Sequence, residues 1–156
     1  MGPLYHLPSA ADRVASLQEA YRVLARDGIA VLAAISATRP PWMAWRESSL
    51  LDPRFVTMRD RDRADGQHRN DTDNLDYFTT AYFHRPDDLS SELEAAGFQD
   101  VRVLGVEGPG WMLQDFDIQW EDAALRKDLR NIARALESES SIVGGGAHLL
   151  RIGRKR

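Results

Sequence analysis

Apolar positions along this chain follow two periods in turn. From Ser9 to Arg26, Val14, Leu17, Tyr21 and Leu24 recur at spacings of three and four. That spacing places them on one face of an amphipathic helix. Ser9 follows Pro8 and suits an N-cap, with Asp12 three residues on as its capping-box partner. Gly28 is expected to be the left-handed residue that ends the helix. Ile29 to Ile35 (IAVLAAI) is continuous, apolar and partly β-branched. Such a run predicts a strand buried on both faces, as in a parallel sheet covered by helices. A helix running straight into a buried strand is half of a βαβ unit, and a strand ending at Met1-Gly2 would begin that unit.

The pattern breaks between Ser36 and Asp76. Pro40 and Pro41 interrupt any regular element, and Trp42, Met43, Trp45, Leu50, Leu51 and Phe55 are scattered apolar residues. Arg59 to Arg63 (RDRDR) alternates in sign and reads as a solvated surface run, and Asp65 to Asn70 is polar and turn-rich. The stretch is expected to be a helical cap plus a loop, with no sheet element.

Regular periods then return. Tyr77 to His84 (YFTTAYFH) has strand propensity, and alternation places Tyr82 and His84 on one face. Pro86, Asp87 and Asp88 suit a helix start. That helix is expected to bury Leu89, Leu93 and Ala96 and to end at Gly97. Val101 to Val106 predicts a strand. Asp122 to Glu137 predicts a helix with Leu125, Leu129, Ile132 and Leu136 on one face. Ala147 to Ile152 predicts a last strand with His148 packed inside it, and Gly153 to Arg156 a solvated end.

Composition narrows the class of protein. At 156 residues the chain is one domain's worth. A net charge of −4 argues against nucleic-acid binding, which needs a basic surface. There are no cysteines, which removes disulfides and thiolate chemistry and fits a cytoplasmic protein. No apolar run approaches the ~20 residues of a membrane helix. His6, His68, His84 and His148 show no metal-ligand spacing, and no Gly-x-Ser-x-Gly elbow is present.

Several segments in this order resemble the C-terminal half of class I S-adenosylmethionine-dependent methyltransferases of the small-molecule type. They are Gly2-Pro3-Leu4-Tyr5-His6-Leu7, Tyr21 to Gly28, Asp65 to Asn70, Tyr82-Phe83-His84-Arg85-Pro86, Glu94 to Phe98, Gly105 to Gly110 and His148-Leu149-Leu150. The resemblance implies an α/β fold: a single incomplete Rossmann-like sheet over residues 1–156, with a cap insert at 36–76 and the N-terminal cofactor-binding strands missing. It implies S-adenosylmethionine as cofactor and a small-molecule acceptor. Gly2, Pro3 and Leu4 would flank the cofactor. Tyr5 would orient the sulfonium or the acceptor, and His6 would serve as a base near neutral pH. His68, Tyr82 and His84 would line the acceptor pocket, with no metal.

The glycine-rich turn that would carry the cofactor is not found among the eleven glycines. Gly105, Gly108 and Gly110 enclose Pro109 and lie far from the next helix, and Gly144 to Gly146 precede a strand. An internal Met taken as the start, or a truncated gene, would account for this. The alternative reading is a non-catalytic α/β module that pairs through an exposed sheet edge, as a homodimer or with a complementing chain.

Overall fold

The computed structural model describes residues 3–38 and 52–156. Five strands, β1 (Ile29–Ser36), β2 (Gln67–His68), β3 (Ala81–His84), β4 (Gln99–Gly105) and β5 (His148–Arg154), form one open mixed sheet in the order β2-β3-β1-β5-β4. The helices are α1 (Ala10–Val23), α2 (Pro53–Asp65), α3 (Pro86–Ala95), α4 (Phe116–Glu121) and α5 (Ala123–Leu136). The protein is α/β, and its open sheet is compatible with a Rossmann-like arrangement. β1 and β3 are parallel, while β5 lies antiparallel between β1 and β4. β1, β3 and β4 therefore all end at the same edge of the sheet.

Local chemistry explains the helix ends. The Ser9 hydroxyl accepts from the Asp12 N–H and caps α1. Pro86 opens α3, where a missing N–H costs nothing, and Gly97 closes it with φ 100°. α1 stops at Val23, earlier than its periodicity suggests. The left-handed residue after it is Asp27, with φ 62°, and not Gly28. Gly28 is needed for a different reason: a Cβ there would stand 2.8 Å from the Ala25 carbonyl oxygen.

The main core lies between the sheet and the pair α1/α3. Leu17 of α1, Leu89 and Leu93 of α3, Ala30 and Ala34 of β1, Leu149 of β5, Phe98 and Leu4 all meet there. Each fully buried leucine contributes about 1.5–3 kcal/mol by leaving water. Phe98 and Tyr21 pack edge to face at 5.1 Å. The opposite face holds a smaller cluster of Ile35, Ala81 and Phe83, joined by Tyr5, Ala37 and Phe78. Phe55 and Met58 of α2 pack on Tyr77.

Several expectations change. β1 is not buried on both faces: Ile29 is 50% and Val31 60% exposed, because α1 and α3 cover the even-numbered side alone. The charge run Arg59 to Arg63 lies within α2, where Asp62 is buried. Gln67 and His68 form a sheet strand paired with β3, so the segment 36–76 is not free of sheet. Tyr77 closes a 3-10 turn, and the strand after it starts only at Ala81. Gly153 belongs to β5, pressed against Phe98 and Leu93. His148 opens that strand and is half-exposed. The apolar face of α5 forms as expected, yet Leu125 and Ile132 remain exposed. Met1, Gly2 and residues 39–51, including Pro40, Pro41, Trp42, Met43, Trp45, Leu50 and Leu51, lie outside the described residues. So do the first strand expected at Met1-Gly2 and residues 39–51 of the expected cap.

Candidate functional site

The turn Pro3–His6 packs on both β1 and β3 where these parallel strands end. Leu4 is buried in the main core and anchors the turn. Tyr5 packs on the Ile35, Ala81 and Phe83 cluster, and the exposed His6 ring sits 4.5 Å from the Tyr5 ring. An apolar anchor followed by two polar rings thus stands at the edge where open α/β sheets bind ligands.

The chain leaving this turn is held from below by Arg13 of α1. Its Nη1 donates to the Leu7 and Pro8 carbonyls at 3.0 and 2.7 Å. Its Nε and Nη2 reach the same Glu92 carboxylate oxygen at 2.8 and 2.7 Å. The other Glu92 oxygen accepts from His84 Nε2 at 3.2 Å. The guanidinium lies 3.5 Å over the Tyr82 ring, and the Tyr82 and His84 rings meet edge to face at 4.6 Å. Burial pushes the Glu92 carboxyl up, but the hydrogen bonds from His84 and Arg13 outweigh it and hold the group below its ordinary value. Burial raises the Tyr82 hydroxyl, and the Arg13 charge offsets part of this. His84 is fully buried, and its Nδ1 has no hydrogen-bond partner among the described residues.

His68 lies across the sheet from this network. Its Nδ1 is 2.6 Å from Asp62 Oδ2, and its Nε2 donates to the Tyr77 carbonyl at 2.7 Å. The ring stacks on Phe83 at 4.8 Å and is buried. Both ring nitrogens are engaged within the protein. The five side chains named from the sequence therefore divide. Tyr5 and His68 flank the Phe83 cluster on one face, with His6 exposed beside Tyr5. Tyr82 and His84 share the opposite face, in the Arg13–Glu92 network. Of the residues assigned to the cofactor, Leu4 is core, Pro3 opens the turn, and Gly2 is outside the described residues.

At the β4 end of the same edge, both Glu107 carboxylate oxygens engage His148, one at the backbone N–H and the other at ring Nδ1. Burial raises the Glu107 carboxyl, but these bonds outweigh it and hold the group below its ordinary value. Gly105 packs on the Val143 carbonyl and Gly146 on Glu107 and Gly108. Neither glycine cluster forms a turn between a strand and a following long helix. The described residues thus do not fit the whole of S-adenosylmethionine. Among them, no three His, Cys, Asp or Glu side chains converge as a metal site.

Two hollows among the described residues are lined by neither Tyr5 nor His6. The larger hollow, about 690 Å³, lies at the opposite end of the sheet between Ile29, Val101, Ile152 and Arg102, Arg154 and Arg156. A smaller one, about 110 Å³, lies between the end of α2 and Tyr82, Phe83, Arg85 and Asp88. The second is well below the ~300 Å³ of a small-molecule site.

Sequence reasoning missed Arg13 and Glu92. The signal was present: each occupies a position at helical spacing from buried leucines, Arg13 before Leu17 and Glu92 after Leu89. No family model matches this sequence, and none of the curated proteins is significantly similar to it.

Proposed function

We propose that this chain supplies the acceptor side of a class I S-adenosylmethionine-dependent methyltransferase acting on a small molecule. One observation carries the reading: the Pro3–His6 turn stands at the C-terminal ends of the parallel strands β1 and β3, with Tyr5 and His6 at that edge. The element order also supports it: α1, β1, α2, α3, β4, α5 and β5 follow the order on which the resemblance rests, with β2 and β3 added between α2 and α3 and the short α4 before α5. The cofactor, when bound, supplies an electrophilic methyl group on a sulfonium. Because the described residues fit only the acceptor-facing part of its site, no transfer step is assigned to this chain alone. Its part is to position Tyr5 and His6 through the Leu4 anchor and the Arg13 clamp. The absence of cysteine and of any long apolar helix among the described residues accords with a cytoplasmic setting.

The test is an amide NMR titration with S-adenosylhomocysteine. Shifts at millimolar ligand confined to Leu4, Tyr5, His6 and Ala37 are expected. No shift there, or shifts only at the Arg102–Arg156 hollow, would overturn the reading. A second reading, a non-catalytic module pairing through its sheet, is favoured by a separate observation: part of one edge of the central strand β1 has no neighbouring strand among the described residues.

A further inference from the structure

The larger hollow, at the end of the sheet away from Tyr5 and His6, is built by an irregularity in β4. Gln99 stands opposite Arg154 and Arg102 opposite Ile152, so β4 carries one extra residue between them. Asp100 lies in this bulge with φ 52°, a left-handed conformation that Asp tolerates better than most side chains. Alternation is lost there, and the consecutive residues Asp100, Val101 and Arg102 all line one hollow. Past the bulge the register fixes the face. Arg102 pairs with Ile152, and Arg154, two residues further along β5, pairs with Ile29. Arg102 and Arg154 are thus diagonal neighbours, which stand about 7–8 Å apart, within reach of two long side chains.

Charge is unbalanced in this hollow. Arg102, Arg154 and Arg156 line it against one carboxylate, Asp100. Asp100 is taken by Arg156 Nη2 and has Arg154 Nε 3.9 Å away. Arg154 Nη1 donates to the Asp27 carbonyl at 3.2 Å, and the Asp27 carboxylate stands 3.9 Å from Arg156 Nη1 at the rim. Arg102 has no hydrogen bond or ion pair among the described residues. Three guanidinium groups against one lining carboxylate leave an excess of two positive charges. Counting Asp27 at the rim still leaves Arg102 unmatched. Between the arginines the walls are apolar, from Ile29, Val101 and Ile152. The volume, about 690 Å³, falls within the ~300–1,000 Å³ of small-molecule sites.

We propose that this hollow binds a phosphate monoester with an apolar organic body. A guanidinium fork matches phosphate oxygens in pairs. A phosphate monoester brings nearly two negative charges and three acceptor oxygens at neutral pH. That matches both the excess charge and the three guanidinium groups. Arg102 and Arg154 hold the phosphate from adjacent strands, and the organic part covers Ile29, Val101 and Ile152. A lone carboxylate supplies one charge and leaves one cation in excess. A neutral ligand leaves Arg102 and Arg154 diagonal across the sheet with no counter-ion between them. The inference goes beyond the methyl-transfer reading and is independent of it, because the two sites lie at opposite ends of the sheet.

Titration calorimetry on the intact chain at low ionic strength tests this with phenyl phosphate, which is expected to fill one saturable site in the millimolar range or tighter. Inorganic phosphate should bind about tenfold more weakly, because it leaves the apolar walls in water. Phenol should not bind measurably. Arg102→Ala should weaken phenyl phosphate about tenfold or more. Its side chain is exposed and makes no bond in the fold, so the melting temperature should not change. Arg134→Ala, at an exposed arginine of α5, should bind like the parent. Amide shifts with phenyl phosphate should fall at Ile29, Arg102, Ile152 and Arg154. No saturable binding at millimolar phenyl phosphate would overturn the proposal. So would inorganic phosphate or phenol binding as tightly, Arg102→Ala binding like the parent, or equal weakening by Arg134→Ala. Response to phenyl phosphate here with none to S-adenosylhomocysteine at Tyr5 counts only against methyl transfer, and the reverse counts only against this site.

Discussion

Arg13 of α1 and Glu92 of α3, 79 residues apart, meet with two guanidinium nitrogens on one carboxylate oxygen at 2.8 and 2.7 Å. The pair ties both helices to the turn that carries Tyr5 and His6, because the same guanidinium holds the Leu7 and Pro8 carbonyls. Breaking a buried pair leaves one charge uncompensated. Glu92→Gln is expected to cost about 3–5 kcal/mol in urea unfolding. Replacing both partners, Arg13→Met with Glu92→Leu, should cost less than the single change.

The same carboxylate sets a pH dependence. Glu92 lies below its ordinary value of 4.5 in the folded chain. A depressed carboxyl contributes stability above the unfolded-state value and loses it as pH falls through the folded one. Unfolding free energy should therefore fall more steeply below about pH 4.5 in the parent than in Glu92→Gln, measured by urea titration at successive pH values.

His68 and Asp62 form a second buried pair, in which Asp62 Oδ1 already lacks a hydrogen-bond partner among the described residues. His68→Phe preserves the stacking on Phe83 but strands the carboxylate. The melting temperature should fall by about 6–12 °C. Adding Asp62→Leu should restore part of that loss.

Asp52 caps α2 and accepts from the Tyr77 hydroxyl at 2.7 Å and the Arg54 N–H at 2.8 Å. The Tyr77 bond first, then Arg54, hold its carboxyl at about 2. Carbon-13 titration should locate it there, and Tyr77→Phe should move it back towards 3.8.

Gly153 sits in β5 where an added Cβ would stand 2.9 Å from Phe98 Cβ and 3.0 Å from Leu93 Cδ2. Gly153→Ala should therefore overpack the core and cost about 1–3 kcal/mol, read from the urea midpoint.

Residues that obey one strong period were legible in the chain. Val14, Leu17 and Tyr21 marked α1, and Leu89, Leu93 and Ala96 marked α3, because helical spacing alone brings them to one face. α2 was obscured by its charges. Its buried positions Phe55, Met58 and Asp62 keep helical spacing, but the last is an acid whose partner comes from another strand. His68 looked like a loop residue for the same reason: a strand of two residues is defined by its neighbour and not by its own pattern.

The candidate site divides in the same way. The sequence by itself determined that an apolar Leu4 followed by Tyr5 and His6 precedes α1, and that Tyr82 and His84 share a face, since both depend on local spacing. Only the tertiary structure decided that this face is opposite the one flanked by Tyr5 and His68. It alone brought Arg13 to Glu92. The physical reason is that periodicity says which residues point together. Which surface they point at depends on sheet order, where β5 took one side of β1 and β3 took only two residues of the other.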